Sequence, residues 1–108
     1  MGLFGFGKKK SKKDDGTLVI DLHADEVLET TAGMNSADIL HYQMDIFKKT
    51  MEEYKKKKGQ KIIFIHGKGE GVLRQTLIHE LNYRYKSCTY QDASFQEYGY
   101  GATQVTIK

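Results

Sequence analysis

The sequence predicts one α/β domain, a two-layer β-α-β-α-β-β sandwich in which two helices cover a mixed four-stranded sheet. Three observations support this fold class. Four short runs are rich in apolar and β-branched residues, and two longer segments repeat apolar residues at helical spacing. Each helical segment follows a strand, which favours right-handed crossovers onto a shared sheet. The length of 108 residues suits one core, and we expect residues 17–108 to form it.

The first predicted strand and helix lie within residues 17–57. Residues 17–23 form a short apolar and β-branched run that is typical of a strand. A helix is predicted from residue 37 to about residue 57, because apolar residues recur there on one helical face. These residues are Ile39, Leu40, Met44, Phe47, Met51 and Tyr54. Ser36 or Asn35 can serve as the N-cap of this helix, and Gly59 follows its end.

The second half of the chain adds three strands and one helix. Residues 61–66 contain four consecutive apolar residues, which indicates a strand buried on both faces. A glycine-rich turn at 67–71 leads into a helix over 72–84. Residues 87–93 and 102–107 form the last two strands, and with a loop of moderate length between them we predict a hairpin. The helix residues predicted to face inward are Val72, Leu73, Leu77 and Leu81.

Positive charge is concentrated near the start of the chain. Residues 1–16 are rich in glycine and lysine and predict a disordered basic tail or linker. This tail holds 5 of the 17 basic and 2 of the 14 acidic residues, so residues 17–108 carry 12 of each. A uniformly basic surface is thereby excluded, and any attraction to phosphate must come from local patches. The tail lysines are Lys8, Lys9, Lys10, Lys12 and Lys13.

The composition also bears on compartment and membrane contact. The single cysteine, Cys88, allows neither an internal disulfide nor a cysteine-based zinc site, and a cytoplasmic location is predicted. No run approaches the roughly 18 apolar residues of a transmembrane helix. Leu3, Phe4 and Phe6 lie beside the tail lysines, so weak contact with an anionic membrane is the alternative to an inert tail. The composition does not indicate an oligomeric state.

The strongest local motif is His-Gly-Lys-Gly-Glu-Gly at 66–71, between a buried strand and a helix. Glycines let backbone amides approach an anion closely, and the start of the following helix adds partial positive charge. A phosphate therefore fits this turn, although an ordinary tight strand-to-helix turn has a similar glycine content. The candidate phosphate- and nucleic-acid-binding residues are Gly67, Lys68, Gly69, Gly71 and Arg74.

A second motif, Asp-Leu-His at 21–23, ends the first predicted strand. Alternation places Asp21 and His23 on the same side of that strand, and ligands of open α/β sheets bind where parallel strands end. We therefore predict that Asp21, His23 and His66 meet at one sheet edge as catalytic groups. They could perform acid–base chemistry at a phosphodiester or hold a divalent ion, for which Mg²⁺ and Mn²⁺ are the candidates. The alternative for each histidine is a hydrogen bond that closes a strand end.

Three segments stand in a characteristic order: Asp-Leu-His at 21–23, His-Gly-Lys-Gly-Glu-Gly-Val-Leu-Arg at 66–74, and Gly-Ala-Thr-x-Val at 101–105. Together they resemble the signature segments of the Smr (small MutS-related) domain, over about residues 19–107. The resemblance implies a fold similar to the C-terminal domain of a bacterial translation initiation factor. It also implies binding of DNA or RNA, with nicking or endonuclease activity. The active edge it implies comprises Asp21, His23, His66, Gly67, Lys68, Gly69 and Gly71.

The chain departs from the family pattern at two places. Ala24 stands where the family usually has glycine, which bears on the placement of His23 and on cleavage. Residues 29–36 lengthen the segment before the first long helix and could form a loop over the active edge. Four aromatic residues near the last loop either stack on unpaired bases or fill the hairpin. These are Tyr90, Phe95, Tyr98 and Tyr100.

Three functions remain open at the level of the sequence. The first is a nicking endonuclease that acts on DNA or structured RNA. The second is a nucleic-acid-binding module without catalysis, in agreement with the neutral charge of residues 17–108. The third is a protein-interaction module within a larger protein. Lys55 to Lys58 could follow a phosphate backbone, or they form a solvated helix end.

Overall fold

The computed structural model describes residues 10–23, 33–67, 71–98 and 101–108. The strands in these ranges are β1 (Lys10–Lys12), β2 (Leu18–Asp21), β3 (Lys61–Ile65), β4 (Thr89–Asp92) and β5 (Ala102–Thr106). The helices are α1 (Ser36–Tyr54), α2 (Val72–Arg84) and α3 (Phe95–Tyr98). The predicted α/β class with a mixed sheet and two long helices is confirmed. The sheet order is β1-β2-β3-β5-β4, so β1 adds a strand to the four predicted.

The pairing of the strands defines the edge of the sheet that matters for function. β2 and β3 are parallel, with Asp21 opposite Ile65 at their carboxyl ends. β5 is antiparallel to β3, and its first residue, Ala102, lies opposite Ile65. β4 pairs antiparallel with β5, which confirms the predicted hairpin. We call the edge formed by Asp21, Ile65 and Ala102 the site edge.

One face of the sheet forms the main core against α1 and α2. Phe47 of α1 meets Phe64 of β3 edge to face, with ring centroids 4.8 Å apart. Burying side chains of this size stabilises the fold by about 1.5–3 kcal/mol each. Leu77 and Leu81 are buried as predicted, whereas Val72 is 52% exposed. The prediction for Val72 is wrong: this residue is the first of α2 and does not belong to the core cluster.

The opposite face of the sheet carries a smaller apolar cluster. Ile63, Ala93 and Ala102 are its buried members, and Ile65 packs against them. β3 is therefore covered on both faces, as its run of four apolar residues predicted. The short helix α3, which the sequence did not predict, is linked to the first hairpin. Its Glu97 carboxylate accepts two hydrogen bonds from Lys13 Nζ, at 2.8 and 2.9 Å.

Residues 10–16 correct the expectation of a disordered tail for this part of the chain. β1 pairs antiparallel with β2 through a tight turn at residues 14–16. Gly16 adopts a φ of 90°, and its amide donates to Lys13 O at 2.9 Å. The Asp15 carboxylate accepts from the Thr17 amide at 2.9 Å. The signal in the sequence was the Asp-Gly pair, which is typical of a hairpin turn. Residues 1–9 lie outside the described ranges.

Candidate functional site

An aspartate and a histidine form a hydrogen-bonded pair at the end of β2. Asp21 Oδ1 accepts from the His23 backbone amide at 3.0 Å and from His23 Nδ1 at 2.8 Å. The neutral imidazole therefore carries its proton on Nδ1, which leaves the lone pair on Nε2. The His23 side chain is 46% exposed, so water and substrate can reach the ring. This arrangement suits a general base that is oriented by a carboxylate.

His23 lies directly against Gly67, where any side chain would crowd the imidazole. Gly67 has a φ of 85°, and a Cβ added there would lie 2.8 Å from His23 Nε2. Gly101 packs on Gly67 as well, since a Cβ at Gly101 would lie 3.2 Å from Gly67 Cα. The amides of His66 and Gly67 both donate to Gly101 O, at 2.8 and 2.9 Å. Close packing therefore ties the turn to the start of β5 and to the Asp21–His23 pair.

His66 is buried, and both of its ring nitrogens have partners. Nδ1–H donates to Gly67 O at 2.9 Å, and the Thr103 hydroxyl donates to Nε2 at 3.0 Å. Burial lowers the pKa of His66; Arg74 lowers it further, while the Gly67 bond and Asp92 raise it. The folded protein therefore favours the neutral imidazole. This geometry suits a group that positions the turn.

The two histidines lie at the same edge but on opposite faces of the sheet. Asp21 pairs with Ile65 and lies on the same face of the sheet, where Ile65 packs against the smaller apolar cluster. His66 bonds to Thr103, and both belong to the face that α1 and α2 cover. Gly67 lies next to the His23 ring, and its carbonyl oxygen accepts from His66 Nδ1–H. The glycine turn thus links the two imidazoles, with no hydrogen bond between them among the described atoms.

A cleft of about 420 Å³ opens between the first turns of the two long helices. We call it the α1–α2 cleft. α2 begins after Gly71, which has no side chain to cap the first amides, so their partial positive charge faces the opening. α1 is capped by Asn35, the second of the two predicted candidates, in a reciprocal box with Asp38. The lining of the cleft includes Ala37, Leu40, His66, Val72, Leu73 and Arg74.

Gln43 supports the site from α1, although the sequence did not single it out. Its buried amide donates from Nε2 to Leu22 O at 2.7 Å. This bond fixes α1 to the residue between Asp21 and His23. The available signal was a polar residue at an inward position of the helix, one turn from Leu40 and from Phe47.

A comparison with protein-family models matches residues 33–108 to the Smr domain. The chain belongs to the Smr domain family. The match covers more than half of the chain and includes the segments that contain His66 and Thr103. The Asp21–His23 pair precedes the matched residues, so its assignment rests on the geometry described above. No curated protein and no solved structure matches this chain.

The Smr domain pairs its candidate phosphate ligand Arg74 with a carboxylate. Arg74 Nη2 donates to Asp92 Oδ1 at 3.0 Å, and both side chains are partly exposed. A phosphate that binds Arg74 would compete with Asp92. Lys68 and Gly69, the other predicted ligands of the turn, lie outside the described residues, as does Ala24.

Several remaining predictions concern surface residues of the Smr domain. Tyr90 is partly exposed and donates its hydroxyl to Asn82 Oδ1 at 3.3 Å. Tyr100 and the side chains of Phe95 and Tyr98 lie outside what the structure describes. Lys55 pairs with Glu52 at 2.6 Å, as a solvated helix end would. No helix in the described ranges is long and apolar enough to span a membrane.

The described residues hold no group of three or more His, Cys, Asp or Glu side chains arranged to bind a metal ion. Asp21 and His23 offer two donors at the site edge. Mg²⁺ commonly keeps several water ligands and takes others from substrate phosphates. Two protein donors are therefore compatible with a loosely held ion, and an assay with and without Mg²⁺ or Mn²⁺ decides this point.

Replacing Thr103 with valine is expected to destabilise the Smr domain by about 1–3 kcal/mol near neutral pH. Valine keeps the shape of the side chain but leaves buried His66 Nε2 without its hydrogen-bond donor. Denaturant unfolding measures the change. Thr106→Val in the same strand is the matched control, because Thr106 does not contact His66. Equal losses in the two variants would show that strand composition, and not the bond to His66, matters.

Proposed function

We propose that this Smr domain binds nucleic acid at the site edge and nicks a phosphodiester of DNA or structured RNA. The observation that supports this most strongly is the Asp21–His23 pair, which lies against the glycine turn with Nδ1 of His23 bonded to the carboxylate. A base that is oriented by a carboxylate and stands next to a glycine-rich turn is an arrangement that suits phosphodiester hydrolysis.

The proposed roles follow from the contacts of each group. His23 Nε2 accepts a proton from the attacking water, while Asp21 holds Nδ1–H and stabilises the imidazolium that forms. The candidate phosphate ligands are Lys68 of the glycine turn and, at the start of α2, the first amides and Arg74. His66 is assigned a positioning role, because both of its nitrogens are already bonded.

A cleavage assay tests this proposal. Labelled branched DNA and stem-loop RNA are incubated with the protein, with and without Mg²⁺ or Mn²⁺, beside the His23→Ala variant. Loss of cleavage in the variant supports a nuclease and shows which nucleic acid it cuts. Binding without cleavage in any metal favours the recognition module. Absence of binding at low salt removes both functions and favours a protein-interaction module.

One observation favours the recognition module as the second candidate. Hydrolysis of a phosphodiester requires a base for the water and benefits from an acid for the leaving oxygen. His66 is buried, neutral and bonded at both nitrogens, so it is poorly placed to donate that proton. With His66 unsuited to act as the acid, this site is compatible with a module that binds a phosphodiester without cutting it.

Replacing Asp92 with asparagine is expected to tighten nucleic-acid binding by about threefold at low salt, because Arg74 no longer has a carboxylate partner. Titrations at several salt concentrations measure this change. Asp45→Asn on α1 is the matched control, because it removes the same charge without contacting Arg74. An equal gain in both variants would attribute the change to net charge and not to release of Arg74.

A further inference from the structure

The walls of the α1–α2 cleft are more apolar than phosphate binding alone requires. Ala37 and Leu40 line it from α1, and Val72 and Leu73 line it from α2. Val72 is 52% exposed, although it is a large apolar side chain in the first turn of a helix. Water contact with this wall is unfavourable, and an apolar ligand group placed there would relieve it.

The same cleft is electrostatically suited to an anion. Arg74 lies in its lining, and the uncapped first turn of α2 presents amide donors at its mouth. A ligand that matches both properties carries a negative charge next to a flat apolar group. The volume of about 420 Å³ is in the range of sites that enclose a small organic molecule.

We propose that the α1–α2 cleft binds one unpaired nucleotide of the nucleic-acid substrate. Its phosphate lies at the start of α2 near Arg74, and its base packs on Leu40 and Val72. A base in a continuous duplex is stacked and cannot reach these walls, so the nucleotide must be bulged, looped or terminal. This inference rests on the proposed function and adds to it the class of substrate: nucleic acid with an unpaired nucleotide at the bound position.

Binding of two matched probes tests the inference. One probe is a labelled blunt-ended duplex, and the other is the same duplex with a single bulged nucleotide, each made as DNA and as RNA. We expect the protein to bind the bulged probe about tenfold more tightly. Val72→Ser should reduce this ratio to about twofold or less, because it replaces one of the two side chains proposed to contact the base without changing charge. Tyr83→Ser is the control, since Tyr83 is an exposed apolar residue of α2 outside the cleft.

A second readout reports on the cleft directly. With 2-aminopurine as the bulged base, binding should change its fluorescence in the wild type and in Tyr83→Ser, but much less in Val72→Ser. Equal affinity of the wild type for the two probes, or an unchanged ratio in Val72→Ser, would overturn the inference and leave the proposed function intact. Binding of neither probe would overturn both.

Discussion

Replacing Gly67 with alanine is expected to destabilise the domain by about 2–4 kcal/mol and to abolish the proposed nicking at the site edge. Two costs add. Alanine is strained at a φ of 85°, and its Cβ would lie 2.8 Å from His23 Nε2. The imidazole must then move, and with it the hydrogen bond to Asp21. Denaturant unfolding measures the stability, and the NMR signal of His23 Nδ1–H measures the position of the ring.

Gly33 provides a matched control for this substitution. Its φ is 81°, and a Cβ added there would meet nothing within 4 Å. Gly33→Ala therefore carries the backbone strain alone, which we expect to be about 1 kcal/mol. The difference between the two variants isolates the close approach of His23 to Gly67. Equal loss of stability in the two variants, with the NMR signal of His23 Nδ1–H unchanged in both, would mean that the imidazole can accommodate a Cβ at Gly67 without moving.

The elements predicted from the sequence are those whose pattern is strong over several residues. The apolar stripe of α1 and the apolar run of β3 each extend over several residues, and the buried positions in the structure agree with these patterns. β1 lacks such a pattern, because it is the three-residue segment Lys-Ser-Lys and owes its order to pairing with β2. Helix α3 is similarly short, and a contact distant in sequence, Lys13 with Glu97, links it to the first hairpin.

The sequence predicts where the candidate site lies, but it does not predict the hydrogen bonds within the site. The motifs indicated the strand ends, and Asp21, His23 and His66 lie there. The bond between His66 and Thr103 depends on the register that places Thr103 opposite Phe64, and no local pattern specifies that register. The alternation of side chains in the sequence does predict that the two histidines lie on opposite faces of the sheet. His66 is two residues from the buried Phe64, so alternation places it on the same face of the sheet. His23 is adjacent to the buried Leu22, so alternation places it on the opposite face.

Replacing His23 with alanine is expected to lower the rate of nicking by at least about 100-fold, with little change in nucleic-acid affinity. The imidazole is the proposed base, whereas the phosphate is held by amides and by cationic side chains. The ring is half exposed, so its removal leaves the core intact. Asp21→Asn should also slow the reaction, though less, because the amide still accepts from Nδ1–H but no longer stabilises an imidazolium. Single-turnover cleavage rates and separate binding titrations distinguish the two effects.

The chain contains its own control for this pair. His41 Nε2 lies 3.5 Å from Asp45 Oδ2 on the exposed face of α1, so it is a second histidine–carboxylate pair, and neither residue lines the α1–α2 cleft. His41→Ala and Asp45→Asn remove the same groups without touching the site edge, and their cleavage rates should match the wild type within about twofold. If His23→Ala cut as fast as His41→Ala, the proton would have to be taken by another group. Because His66 is buried and bonded at both nitrogens, that group would have to come from the substrate, from solvent or from residues beyond the described ranges.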